Sequence, residues 1–217
     1  MQAEKTATPR EKALRGRRPR SATPGREALL RAALAHFARH GYEATSLRSL
    51  ALEAEVDVAL VARLFGSKAE LWVAVVDQLV TLQTMHLERL GQLTHLCQQQ
   101  PREALQGLIQ LFADLSYEIP AFAAFLMHEM SNPGERVKML IKRLVTPFRS
   151  ACTPVLQAAI KSGHLRATDP DMVFGMLISA IAVPMGGPGI VGKGPRLTAK
   201  LRDEIAREAI RMLGVAT

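Results

Sequence analysis

Aromatic residues make up only 5% of this 217-residue chain, and it carries two cysteines and one tryptophan. β-Branched residues rarely cluster, no strand alternation or hairpin dipeptide is visible, and no repeat recurs, so the vocabulary of sheets is missing. Cys97 and Cys152 stand alone and far apart, without the neighbours of a metal site. That argues against a disulfide scaffold and fits a reducing compartment, so a cytoplasmic location is expected. The polar, basic N-terminus has no apolar stretch behind it, unlike a signal peptide. Residues 172–192 hold no charge, yet Pro184, Gly186, Gly187, Pro188 and Gly189 break their second half. The apolar helical part, 172–183, falls short of the ~20 residues a membrane span needs. It reads as a buried or dimer-forming helix, and no membrane partner is expected. Catalysis has no visible carrier either: there is no G-x-S-x-G, no H-E-x-x-H and no Cys/His pattern, so no enzyme is expected.

What the chain does have is Ala, Leu, Arg and Glu, the residues of helices. Hydrophobic content is 48% and charged content 22%, within the globular range. The net charge is +8, and its placement is uneven. Residues 1–20 hold seven basic and two acidic side chains, a local excess of +5; residues 21–71 balance to zero. An excess gathered in one arm suits a polyanion, nucleic acid before membrane.

The elements follow from periodicity and caps. Residues 1–23 lack apolar periodicity and read as a basic flexible arm. Leu30, Ala33, Leu34, Phe37 and Ala38 share one helix face, and Gly41 stops that helix. Thr45 or Ser46 caps a second helix whose inward face is Leu47, Leu50, Ala51 and Ala54. After a break at Glu55 and Val56, Asp57 caps a third, with Val61, Leu64 and Phe65 inward. Ser67 caps a fourth, striped by Leu71, Trp72, Val75, Val76, Leu79 and Leu82, running to about Gln99 with a break possible at Gly91. Further helices are expected from Pro101 to Tyr117, Pro120 to Met130, 135–162 with Pro147 and Pro154 kinking or splitting it, from Pro170, and 198–213, nine or so altogether.

The segment TSLRSLALEAEVDVALVARLFGSKAEL, residues 45–71, therefore reads as two short helices joined by a tight turn and followed by a capped helix. That is the layout of a helix-turn-helix, whose second helix enters the major groove. Ala32, Ala33, Leu34, Phe37, Gly41, Thr45, Ser46, Leu50, Ala51, Ala54, Val56, Val61, Phe65, Ser67, Lys68 and Leu71 stand at the spacing of one known pattern. Over residues 26–71 the chain resembles the DNA-binding domain of the TetR family of transcriptional repressors. The resemblance implies an all-α protein: an arm at 1–23, a helix-turn-helix domain at 24–71, and a helical ligand-binding and dimerisation domain at 72–217. It implies double-stranded DNA, a second copy of the chain and an unknown small-molecule effector as partners, and no cofactor. By position, Thr45 and Ser46 would meet phosphate, Val58, Ala59, Leu60, Ala62 and Arg63 would face the groove, and Lys68 would contact phosphate. Arg17, Arg18 and Arg20 of the arm would reach a neighbouring groove or backbone. The last two helices would pair with their twins through Val173, Leu177, Ile178 and Ile181 and through Leu201, Ile205, Ala209 and Met212.

Three positions depart from the family: Glu55 replaces a turn glycine, Ala62 a tyrosine and Leu64 a histidine. They suggest an alternative, a helical small-molecule binder with a vestigial head. Phe125, His128 and Glu129 are expected to anchor the effector, polar groups amid apolar ones. Residues 187–192 fit G-x-G-x-x-G, but no βαβ unit surrounds them, and they read as a loop. His36 and His40 have the i, i+4 spacing of metal ligands; the sequence shows no third ligand nearby, and they read as a surface pair.

Overall fold

The computed structural model describes residues 25–187, 192 and 196–213, and every regular element among them is helical. The order is α1 (Arg26–Ala44), α2 (Leu47–Glu53), α3 (Val58–Phe65), α4 (Lys68–Leu96), α5 (Pro101–Glu118), α6 (Ala121–Met130), α7 (Glu135–Leu140), α8 (Thr146–Lys161), α9 (Pro170–Leu177), α10 (Val183–Gly186) and α11 (Ala199–Met212). Segments Ile141–Val145 and Ile178–Ala182 are π-helical and join α7 to α8 and α9 to α10. Nine rods result among the described residues. Arm residues Arg17, Arg18 and Arg20, and most of the glycine-rich 186–195 stretch, lie outside the described residues.

The caps explain the boundaries of the first elements. Ser46 accepts from Ser49 N at 3.0 Å and its own N–H donates to Ser49 Oγ at 2.9 Å, closing a capping box at the start of α2. Thr45 does not cap: it is buried, and its hydroxyl donates to Gly41 O at 2.7 Å. That bond ties down the chain where α1 breaks, at Gly41 with φ +73°. Val56 N reaches Ala51 O at 2.9 Å, so α2 ends in a left-handed turn centred on Glu55, φ +54°. Asp57 caps α3 through Ala59 N at 2.8 Å, and Ser67 and Glu70 form a second capping box on α4.

Helix α4 runs unbroken through Gly91, 29 residues or about 43 Å. Two cores meet along it. Leu30, Phe37, Leu50, Val61, Leu71, Trp72 and Val76 form the first, together with Phe125 and Leu126 of α6 and Leu140 and Leu144 beyond it. Leu90 opens the second, with Leu105, Leu108, Ile109 and Phe112 of α5, Phe148 and Val155 of α8, and Phe174 of α9. The packing thus runs across the 71/72 division, because the head closes its core on α4 and α6.

Proline accounts for both π-turns. Pro147 and Pro184 each lie two residues beyond a π-helical segment. Neither can donate to the preceding turn, and a wider turn absorbs the missing bond without splitting the rod. Pro154 sits inside α8 without interrupting it. Cys97 and Cys152 are buried and unpaired, and burial pushes both thiols up, Cys152 furthest. No single described helix is long and apolar enough to cross a membrane.

Candidate nucleic-acid interface and effector cavity

The outward face of α3 carries Val58, Ala59, Ala62, Arg63 and Leu64, all exposed. Arg63 makes no hydrogen bond or ion pair with any described residue, so its guanidinium is free to meet a base edge. Leu60, expected at the groove, instead packs half-buried on the head core, and Leu64, expected inside, is 37% exposed. The register is rotated because Val61 and Phe65, four apart, take the buried stripe. Exposed Ser46 is the hydroxyl that faces solvent at α2, beside the exposed cation Arg48, which sequence reasoning passed over. A cation in the first turn of α2, next to the cap expected to meet phosphate, was the available signal. Glu55 and Asp57 set two carboxylates at the rim, so the face itself is close to neutral. Holding Glu55 left-handed costs on the order of 1 kcal/mol.

Lys68 is engaged within the protein. Its Nζ donates to Tyr42 O at 3.0 Å and lies 4.3 Å from the Tyr42 ring centre. The cation satisfies carbonyls where the chain leaves α1, and it welds α4 to α1.

The expected effector residues lie elsewhere. Phe125 is wholly buried between Phe37 and Trp72, with ring centres 6.4 and 6.2 Å away. Glu129, 2% exposed, accepts from Trp72 Nε1 at 3.1 Å and from Arg136 Nε at 3.1 Å. Arg136 also donates to Glu43 at 3.2 Å and stacks 3.8 Å from the Tyr42 ring centre. His128 is exposed, over Gly41: a Cβ there would stand 3.4 Å from its Nδ1. These three residues therefore form the joint between head and body. The reason is orientation: α6 packs that face on α1 and turns its other face inward.

That other face, Phe122, Ala123 and Leu126, walls a narrow apolar cavity of about 50 Å³. Phe112, Phe148 and Phe174, with ring centres 5.5 to 6.4 Å apart, also line it. Both π-turns contribute, through Leu144 and Val145 and through Ile178 and Ala182. Gln83 of α4 supplies the polar group. It is buried, lines the cavity and makes no hydrogen bond to any described residue. Its signal was legible: Leu79, Gln83, His86 and Leu90 continue the buried stripe of α4, and a polar residue on such a stripe needs a partner. His86 has one, Glu118 at 3.1 Å.

Val173, Leu177, Ile181, Leu201 and Ala209, expected at a dimer interface, are buried in the chain's own core, and Ile178 faces the cavity. Ile205 packs half-buried on the same core, while Met212 is exposed. The free face of α9, α10 and the π-turn between them is Met172, Gly175, Met176, Ser179 and Val183. The apolar stripe had two sides, and the body claimed the one with the larger branched residues.

Residues 29–75 match the family model for bacterial regulatory proteins of the tetR family. No curated protein sequence matches the chain. Among solved structures it is similar to AibR in complex with isovaleryl coenzyme A and operator DNA, at 20% identity and TM-score 0.66, covering 88% of this chain and 98% of that one. It is also similar to PfmR, a TetR family transcriptional regulator from Thermus thermophilus, at 20% identity and TM-score 0.60, covering 88% and 96%. HlyIIR, a hemolysin II transcriptional regulator, aligns at 22% identity and TM-score 0.60, covering 84% and 94%.

Proposed function

We propose that the chain, whose residues 29–75 match the model for bacterial regulatory proteins of the tetR family, is a ligand-responsive, DNA-binding transcriptional regulator acting as a repressor. It reads a two-fold-symmetric operator as a homodimer, and a small apolar effector releases it. One observation carries this reading: α6 has the head's joint on one face and the cavity wall on the other.

The division of labour follows from charge. Ser46 and Arg48 meet phosphate, Arg63 and the apolar residues of α3 meet base edges, and the basic arm supplies the remaining attraction. The dimer forms through Met172, Gly175, Met176, Ser179 and Val183, where small residues let two helices approach. Recognition helices of a dimer enter successive major grooves when they lie ~34 Å apart. An effector that prefers another head spacing shifts the population away from DNA. AibR's isovaleryl coenzyme A makes a short acyl group a reasonable first probe here. The apolar lining suits an apolar or aromatic group with one hydrogen-bonding atom presented to Gln83, and the narrow cavity must widen to admit it.

The test is selection of bound genomic fragments at physiological salt, followed by footprinting. A protected two-fold site is expected. Arg63→Ala relaxes sequence preference, whereas deleting residues 1–20 weakens binding evenly and flattens its salt dependence. Sedimentation velocity should show dimers, and Met176→Glu should yield monomers. Weak, sequence-blind binding would instead favour the ligand binder with a vestigial head.

A further inference from the structure

His36 and His40 take no part in the reading face or the cavity, and the fold corrects their reading as a surface pair. His36 is buried, and Glu53, at the end of α2, is the third group the sequence did not reveal. One donor atom from each of the three lies within 4.8 Å of the others.

Ser49 Oγ donates to Ser46 O at 2.9 Å, accepts from Ser46 N–H at 2.9 Å, and stands 3.2 Å from His36 Nε2, which fixes the ring. His36 Nδ1 is in close contact with Glu53 Oε2, a separation that a shared proton spans. A ring nitrogen and a carboxylate oxygen are also two ligand atoms of the kind a metal ion takes. The His40 ring, 4.6 Å from that of His36 between centres, is a third on the same side.

We propose that His36 Nδ1, a ring nitrogen of His40 and Glu53 Oε2 bind one divalent transition-metal ion of the zinc class, with water completing the shell. Two imidazoles and a carboxylate suit zinc, cobalt or nickel rather than magnesium or calcium. Donors around a tetrahedral ion with ~2.0 Å bonds lie ~3.3 Å apart, so the His36–Glu53 contact opens slightly as the ion displaces the shared proton into solvent. Ser49 orients the His36 ring through Nε2, the usual outer partner of a ligating histidine. Arg39 Nη1, 2.6 Å from Glu53 Oε1, holds the other carboxylate oxygen and leaves Oε2 for the ion. Its charge opposes the metal's, but Arg39 is largely exposed, and water screens it.

The site would stiffen the head behind its reading face. It ties α1 to the end of α2, and Ser49 also closes the capping box that presents Ser46.

The test uses the full chain, stripped by a chelator and titrated with Co²⁺ and then Zn²⁺. We expect one ion per chain, visible absorption bands of low-symmetry cobalt that zinc bleaches, and release of a proton on binding. His40→Ala and Glu53→Gln, both at exposed positions, should each weaken binding tenfold or more. Ser49→Ala, which keeps all three ligands, should weaken it by roughly tenfold. Circular dichroism checks that each variant is folded. Absence of uptake, or uptake unchanged in folded His40→Ala, overturns the proposal, the latter because His86, His95, His128 or His164 would then hold the ion. Neither result touches the regulator reading, since no DNA enters the measurement.

Discussion

The two faces of α6 look on two kinds of interior. Toward the head, Phe125 and Glu129 meet an aromatic cluster and a closed set of hydrogen bonds, in which Trp72, Arg136, Glu43 and Tyr42 all have partners. Toward the body, Phe122, Ala123 and Leu126 line the narrow apolar cavity beside one buried amide, Gln83, that has no partner among the described residues. A closely packed, satisfied joint moves as a unit; an unfilled slot with an idle hydrogen-bonding group changes when something enters it. If the proposed reading holds, the side that transmits is the rigid one and the side that receives is the incomplete one.

The comparison breaks most visibly at Trp72. Replacing it with Ala removes a fully buried ring from the joint and should cost about 3–5 kcal/mol in denaturant unfolding. A loss near zero would mean that the head side is no better packed than the slot. Arg136→Ala should cost about 2 kcal/mol, the scale of a charged hydrogen bond, because it strips Glu129 of its ion pair while leaving Trp72 in place. Gln83→Leu should go the other way, unchanged or raised by up to ~1 kcal/mol, since the amide has no bond to lose and the leucine adds apolar burial. A clear loss there would reveal a partner and end the distinction between the two faces.

The smallest effect concerns pH. Hydrogen bonding from the Ser67 backbone N–H, and then its side chain, holds the Glu70 carboxyl below its ordinary value of 4.5. The unfolded chain therefore binds the proton more readily, and the contribution is present above 4.5 and fades as pH falls through the lower folded value. Glu70→Gln should flatten the acid limb of the stability profile by a small amount, leaving the neutral region nearly unchanged.

Much of the head was legible because its signals are local. Ser46, Asp57 and Ser67 cap where small polar residues precede apolar periods, and the turn at Glu55 is left-handed because the chain must reverse there in two residues. Errors arose where two neighbours could serve equally. Thr45 and Ser46 are both cap residues, and only the bond from Thr45 to Gly41 separates them. Leu60 and Leu64 both fit an inward face, and the angle at which α3 packs chose neither as its anchor. Phe125, His128 and Glu129 were recognised as an unusual polar–apolar cluster, but they serve the joint rather than a ligand.

Periodicity, caps and turn residues, which depend on neighbours within about a turn, determined from the sequence alone that this is an all-helical chain with a helix-turn-helix head. Which face of a helix is buried, and against what, depends on partners tens of residues away. Only the tertiary structure therefore decided that Val173 and Leu177 face inward and that Gln83 has no partner among the described residues. By the same route it brought Glu53 to His36 and His40. Hydrophobic burial is non-directional, and an apolar stripe records that it will be covered without recording by what.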